Sequence, residues 1–130
     1  MKRLVGWLLM ALALAGAGSC GDNGTGPVAG ELTVSLQTPN PGGDGALLFT
    51  VTGPDVLTSA TASPGLRLFA QPLGAVTRFA VTGTLTNGAV LTIGVPVLSK
   101  AAQYTASVQN VATPDFQLRS LSGYSLTVAR

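Results

Sequence analysis

Hydrophobic and polar residues alternate in short runs along the chain from residue 31 onward. In the first run, Leu32, Val34 and Leu36 share one face, and threonine and serine lie between them. A period of two is typical of a half-buried β-strand, and no stretch shows the helical period. Further runs lie between glycine- and proline-rich turn signals, at residues 47–52, 56–61, 66–69, 76–85, 89–97, 104–111 and 124–128. The pattern predicts an all-β fold, a single antiparallel β-sandwich of about eight short strands.

Residues 76–97 predict a hairpin around Asn87 and Gly88. A two-residue turn at these positions would mix hydrophobic and polar side chains on each face of the hairpin. A three-residue loop that begins one residue earlier, with Gly88 left-handed, instead places Val81 opposite Ile93. A slip of one residue reverses every side chain, so we expect the second register.

The N-terminal segment has a different pattern. Lys2 and Arg3 precede an uncharged hydrophobic run at residues 4–17. As a helix this run would measure about 21 Å, which is shorter than the roughly 30 Å hydrocarbon core of a bilayer. The run is therefore typical of a secretory signal peptide rather than of a membrane-spanning helix.

Small residues and the single cysteine end this segment, as Ala17, Gly18, Ser19 and Cys20. They resemble the lipobox of bacterial lipoproteins. The resemblance implies cleavage between Ser19 and Cys20 and attachment of diacylglycerol to the Cys20 thiol, so that fatty acyl chains such as palmitate anchor the protein to a membrane. The alternative is an ordinary signal cleaved after Ala15 or Ala17, which would leave Cys20 as a lone thiol in an oxidising compartment.

Residues 21–30 are rich in glycine and predict a flexible tether. Gly21 is not the aspartate that retains some bacterial lipoproteins in the inner membrane, so the resemblance favours the outer membrane or the cell surface. The predicted organisation is a signal peptide at residues 1–19, the lipidated cysteine and tether at 20–30, and one β-sandwich at 31–130.

The order of motifs in the domain resembles the cohesin family. Residues 49–57 (FTVTGPDVL) resemble a cohesin strand that runs into an Asp-Pro turn, with Gly53 in place of the aspartate. Residues 78–82 and 87–95 resemble the later cohesin hairpin that ends in a hydrophobic strand, and residues 104–111 and 123–128 resemble the last strands. The resemblance implies a jelly-roll-like sandwich and a non-catalytic module that binds a protein partner. No dockerin-binding residue is carried over, because only a turn stands where cohesins usually have a further strand before Phe49.

Charge and composition exclude several classes of function. Of seven basic residues, Lys2 and Arg3 belong to the leader, which leaves five basic residues against five acidic ones. This balance gives no basic surface for nucleic acid. The chain has no histidine and one cysteine, so the usual general base and the usual metal ligands are missing. We therefore expect no catalytic residue, no metal site and no cofactor.

The acidic residues lie mostly beside glycine or proline, which predicts solvated turn positions. A calcium ion shared by Asp44 and Asp55 is the alternative, since loop carboxylates are calcium ligands. Ser99 and Lys100 suggest a serine–lysine dyad, but neighbouring strand residues point to opposite faces and the S-x-x-K spacing is absent.

Tyr104 and Tyr124 align with the hydrophobic positions of their strands, which predicts core packing rather than an aromatic platform for sugars. The sequence thus predicts a lipid-anchored protein of the cell envelope with a non-catalytic β-sandwich module for protein interaction or structural attachment. The exposed threonine-rich faces and strand edges would be its contact surfaces. A carbohydrate-binding module is the first alternative, and an envelope hydrolase is a distant one.

Overall fold

The computed structural model describes residues 26–130. The predicted signal peptide, the cleavage site after Ser19 and the lipidation site at Cys20 lie outside the described residues. Eight β-strands and one 3₁₀ helix follow one another along the described chain. They are β1 (Gly30–Gln37), β2 (Asp44–Thr52), β3 (Ser59–Ala62), β4 (Arg67–Ala70), β5 (Val76–Leu85), β6 (Gly88–Val95), the 3₁₀ helix (Leu98–Gln103), β7 (Thr105–Ala112) and β8 (Ser125–Ala129).

The strands form two four-stranded antiparallel sheets that pack against each other. Sheet A has the strand order β3-β6-β1-β8, and sheet B has the order β4-β5-β2-β7. The core between the sheets consists of Leu32, Val34, Leu36, Leu47, Phe49, Val51, Leu57, Phe79, Val81, Leu85, Val90, Leu91, Ile93, Val95, Tyr104 and Val111. The predicted all-β sandwich of about eight strands is confirmed.

The alternation of the sequence places side chains as predicted in the central strands. Leu47, Phe49 and Val51 of β2 are buried, whereas Thr52 is exposed and Thr50 is half-buried on the outer face. Phe49 lies opposite Phe79 of β5 in register, with ring centroids 5.5 Å apart. This cross-strand aromatic pair joins the two central strands of sheet B inside the core.

The predicted hairpin of residues 76–97 is wrong. Strand β5 pairs with β4 and β2 in sheet B, and β6 pairs with β3 and β1 in sheet A. The chain thus crosses from one sheet to the other between Leu85 and Gly88. Val81 and Ile93 both point into the core, but from opposite sheets. Alternating burial is the same for strands that pair edge to edge and for strands that face each other across a core, so the pattern alone did not distinguish them.

The two ends of the sandwich differ in their connections. At one end, called here the Gly30 end, the amide of Leu98 donates a 2.7 Å hydrogen bond to the carbonyl of Val28, which fastens the chain before β1 to the start of the 3₁₀ helix. The other end, called here the loop end, holds the β1–β2 turn, the β5–β6 crossing and the long β7–β8 loop. Among the described residues, no helix has the length and hydrophobicity that crossing a membrane would require.

Candidate functional site

The loop end is built on one buried carboxylate. Asp44 begins β2 and is 0% exposed. Its Oδ2 accepts a 2.6 Å hydrogen bond from the Thr38 hydroxyl, and the Tyr124 hydroxyl lies 2.9 and 3.0 Å from its two oxygens. The Nε of Arg119 donates to Oδ1 at 2.8 Å. A buried charge is tolerated when it is paired and hydrogen-bonded in this way.

This network fixes three separate segments to one another. Arg119 also donates to the carbonyl of Gly43 at 3.0 Å, and the Asn40 side chain donates to the Tyr124 hydroxyl at 3.0 Å. The amide of Thr38 donates to Oδ1 of Asn87 at 2.7 Å. The β1–β2 turn, the β5–β6 crossing and the β7–β8 loop are therefore held together through side chains that the sequence separates widely.

The burial of Asp44 corrects the expectation that the acidic residues are solvated. Asp55 lies at the opposite end of β2, where its carboxylate is 3.5 Å from Nζ of Lys100. The whole length of β2 separates the two aspartates, about 26 Å at the rise of an extended strand, so they do not share a calcium ion. In residues 26–130, no group of three or more potential metal-ligating side chains is found.

An open cleft of about 600 Å³ lies against this network, between the β1–β2 turn and the β7–β8 loop. Its walls are mainly polar and are formed by Asn40, Thr113, Asp115, Gln117, Leu118, Arg119, Ser120, Ser122 and Tyr124. We call it the loop-end cleft. Amide and hydroxyl groups dominate its lining, and Asp44 beneath it is enclosed by its own partners. The cleft can therefore offer hydrogen bonds to a polar ligand but has no free buried carboxylate.

The β7–β8 loop also projects a hydrophobic tip. Phe116 is 90% exposed and has a φ of 68°, the single non-glycine residue with positive φ in the described chain. The turn that presents it is well bonded: the Phe116 amide donates to the carbonyl of Thr113 at 2.9 Å, and the Thr113 amide donates to that of Gln117 at 2.9 Å. The Thr113 hydroxyl donates to Asp115 and accepts from the Gln117 amide.

A second surface lies on the outer face of sheet B. Phe69 of β4 is 56% exposed, and its register partner Ala80 of β5 stands opposite Leu48 of β2. Together with Ala70, Gln71, Arg78 and Phe79 these residues line an almost wholly apolar groove of about 200 Å³. We call it the Phe69 groove. On the same outer face, Thr50 stands opposite Arg78 and Ser107, and Thr82 stands opposite Arg67.

The charges near these two surfaces differ in sign. Arg67 and Arg78 lie on the groove side of sheet B, and both are exposed. Asp115 lies beside Phe116 at the tip of the loop and is also exposed. Within residues 26–130, ion pairs join Lys100 to Asp55 and Arg119 to Asp44, and none involves the two groove arginines or Asp115.

The two tyrosines lie where the hydrophobic pattern placed them, with one difference. Tyr104 is 3% exposed, and its ring packs so closely on Gly53 that a Cβ at that position would overlap it. Its hydroxyl is buried without a hydrogen-bond partner among the described residues. Burial first, and the charge of Asp55 second, raise the pKa of Tyr104. Tyr124 instead directs its hydroxyl into the Asp44 network, a role that its alternation pattern did not predict.

The predicted strand position of Ser99 and Lys100 is wrong, because both residues lie in the 3₁₀ helix, and Lys100 pairs with Asp55.

The sequence did not predict a role for Arg119 and Phe116 at the loop end, for which no local signal exists. Nor did it predict one for Leu48 and Phe69 on the outer face of sheet B. For Leu48 and Phe69 the sequence does contain an indication. In residues 46–49 and 66–69 hydrophobic side chains occur at neighbouring positions and not only at alternate ones. Such a run leaves some apolar side chains on the outer face when the other face is already buried.

A comparison with family models, with curated proteins and with solved structures finds no match to this chain.

Proposed function

We propose that this protein is a lipid-anchored, non-catalytic module of the cell envelope that binds a protein partner through the outer face of sheet B. The observation that carries the proposal is the Phe69 groove. An exposed aromatic side chain beside an apolar groove, with Arg78 at its border, has the composition of a protein-binding surface. The cohesin-like order of motifs supports the same class of function.

The anchor follows from the resemblance of residues 17–20 to a lipobox. Lipidation of Cys20 would join the acyl chains to the Gly30 end of the sandwich through the glycine-rich tether. Strand β1 runs from that end to the loop end over its eight residues, about 25 Å at the usual rise per residue. The loop end would then face away from the membrane, and the Phe69 groove would lie on the side of the module.

The carboxylates support a non-catalytic role. Both oxygens of Asp44 are engaged by Thr38, Arg119 and Tyr124. Asp55 is paired with Lys100 at the far end of the same strand. Paired-carboxylate hydrolysis needs two acids that flank one substrate, and these two are separated by the length of β2.

The anchor is tested by Cys20→Ala. The variant is expected to move from the membrane fraction to the soluble fraction, because the acyl chains and not the polypeptide hold the protein. Incorporation of radiolabelled palmitate should be lost in the same variant. A Cys20→Ala protein that stays in the membrane fraction, with its labelling intact, would contradict the anchor and leave the binding surface untouched.

The binding surface is tested by photo-crosslinking in cells. Benzoylphenylalanine in place of Phe69 keeps an aromatic ring in the groove, and the same probe at Thr127 serves as control on the exposed outer face of sheet A. We expect an adduct to a defined protein from position 69 that is absent from position 127 and is lost on Arg78→Asp. Equal or absent adducts at the two positions would overturn the proposal.

Polysaccharide binding in the loop-end cleft is the second candidate. The amide and hydroxyl groups of Asn40, Gln117, Ser120 and Ser122 favour it, because they line one open cleft and can bind sugar hydroxyls. Calorimetric titration with purified envelope polysaccharide, repeated with Gln117→Ala, distinguishes this function from the first. Heat of binding that is lost in Gln117→Ala and kept in Phe69→Ser would assign the ligand to the cleft.

A further inference from the structure

One surface of this protein complements another surface of the same chain. The β7–β8 loop ends in a projecting tip, at which Phe116 stands almost fully in solvent. The tip is rigid, since three hydrogen bonds between Thr113, Phe116 and Gln117 close the turn. Holding a phenylalanine at a φ of 68° is unfavourable for a bulky side chain. The ring is held outside the core, where a second molecule can reach it.

The Phe69 groove has the size to receive that ring. Its volume is about 200 Å³, and it is open to solvent along one side, so an aromatic ring of a second molecule can reach its apolar lining. Phe69, Ala80 and Leu48 supply apolar walls on three neighbouring strands. A phenylalanine ring inserted between them would face hydrophobic atoms and the exposed ring of Phe69.

The charges of the tip and of the groove are opposite in sign. Asp115 precedes Phe116 at the tip, and its carboxylate accepts a hydrogen bond from the neutral Thr113 hydroxyl. No ion pair within residues 26–130 includes Asp115, so its charge can pair with a cation of a second molecule. Arg78 borders the groove, and Arg67 lies on the same outer face two residues before Phe69. No acidic residue occurs in the strands of sheet B apart from the buried Asp44. The tip is therefore acidic and aromatic, and the groove is basic and apolar.

We propose that copies of this protein associate head to tail, with the Asp115–Phe116 tip of one copy seated in the Phe69 groove of the next. This inference rests on the proposed function, because it uses the same groove and names its partner as a second copy. The tip lies at the loop end and the groove on the side of the sandwich, so each copy offers both surfaces. Such a contact is heterologous, and unless the rotation closes a ring it generates chains.

A single contact of this kind is small. A buried phenylalanine contributes about 150–250 Å², and interfaces below about 1,200 Å² are typical of weak association. Confinement of lipid-anchored copies to one membrane surface raises their effective concentration, as linkage does in multivalent binding. Association is therefore expected on the membrane, and weakly or not at all in dilute solution.

The test uses the full-length lipidated protein in cells, with benzoylphenylalanine at position 69 of every copy. We expect a ladder of adducts at multiples of the protein mass, because each copy presents both surfaces. Asp115→Arg should reduce these adducts about tenfold or more, as loss of a central contact does. Glu31→Arg is the matched control, since Glu31 is also exposed and unpaired among residues 26–130 but lies on β1, and it should leave the ladder intact.

A mixed experiment tests the head-to-tail geometry. Copies with the probe and Asp115→Arg keep the groove and lose the tip, whereas copies with Arg78→Asp keep the tip and lose the groove. Together they should give a dimer and nothing longer. Two results would overturn the proposal. One is the absence of a dimer adduct in the mixture, and the other is a dimer adduct in either variant on its own, as a symmetric contact could give.

Phe116→Gly separates the contact from the fold. Glycine adopts positive φ without strain, so the variant should unfold at the same or a higher temperature, yet its ladder should fall as in Asp115→Arg. Adducts to a different protein would overturn this proposal and leave the proposed function standing, and the absence of any adduct would overturn both. Flotation of Cys20→Ala protein with phosphatidylglycerol vesicles that depends on Phe116 would assign the tip to a lipid surface and overturn the association.

Discussion

The two ends of the sandwich hold the same kinds of residue in opposite states. The loop end has Asp44, Arg119 and Tyr124, and the buried carboxylate receives hydrogen bonds from both partners. The Gly30 end has an aspartate, a lysine and Tyr104, but there the ion pair is half-exposed at 3.5 Å and the tyrosine hydroxyl has no partner among the described residues. A complete polar network fixes the loops at one end, whereas at the other the Tyr104 ring packs on Gly53 and a backbone hydrogen bond from Leu98 fastens the chain before β1.

The difference follows from burial. A charge that is fully removed from water needs its partners, and loss of one partner leaves it uncompensated. An exposed pair is solvated with or without its partner and contributes little. Sequence composition does not reveal this, since each end has an aspartate, a cation and a tyrosine among its residues. The loop end should therefore be sensitive to single polar substitutions, and the Gly30 end should tolerate them.

The largest effect is expected from Arg119→Met, which leaves the Asp44 carboxylate buried without its cation. We expect the free energy of unfolding to fall by about 3–5 kcal/mol, measured by urea denaturation. Lys100→Met, which breaks the exposed pair with Asp55, should cost less than about 1 kcal/mol. Addition of Asp44→Asn to Arg119→Met should recover part of the loss, because the uncompensated charge is then removed. Equal losses in Arg119→Met and Lys100→Met would show that the two ends do not differ in this way.

The tyrosines provide an intermediate effect. Tyr124→Phe removes a hydrogen bond to a charged group, which should cost about 1.5–3 kcal/mol of unfolding free energy. Tyr104→Phe removes a buried hydroxyl without a partner, so the stability should be unchanged or higher by up to about 1 kcal/mol. Denaturation of the two variants under one set of conditions compares them directly. A loss in Tyr104→Phe as large as that in Tyr124→Phe would contradict the comparison.

The smallest effect is a pH dependence at the Gly30 end. Burial raises the pKa of Tyr104 above its usual value of 10.0, so the unfolded chain loses this proton at lower pH than the folded protein does. Stability from this group is complete below about pH 10 and declines as the pH rises toward the folded pKa. Tyr104→Phe should lack this component, so its stability relative to the original protein should increase between pH 9 and 11. Parallel curves for both proteins would show that Tyr104 titrates normally.

The sequence predicted the architecture because the alternation in β1 and β2 directly reports which side chains face the core. It did not predict the partners of β5 and β6, since Val81 and Ile93 alternate identically whether the strands share a sheet or oppose each other. Pairing depends on which long-range contacts bury the most surface, and that information is spread over the whole chain. The local pattern was therefore sufficient to predict the fold class but not the order of strands in the two sheets.

The candidate surfaces could likewise be predicted from the sequence only in part. Asp44 stands between two glycines in a turn-like segment, and nothing local indicates that Arg119 and Tyr124, more than 70 residues later in sequence, enclose it. The tip at Phe116 depends on a turn that is closed by two backbone hydrogen bonds and by the Thr113 hydroxyl. A positive φ at a phenylalanine is unexpected from propensity, and such departures occur where tertiary context overrides local preference.

The pairing of β1 with β8 has a consequence for how the molecule acquires its structure. In sheet A no two strands that are consecutive along the chain are neighbours, and the first strand is flanked by β6 and by the last strand of all. Proteins dominated by such distant pairings fold slowly, on the order of milliseconds to seconds. Sheet A also remains incomplete until Ser125–Ala129 has been synthesised. The sandwich therefore cannot close strand by strand in chain order, because β1 pairs only with strands that begin more than 50 residues after it ends.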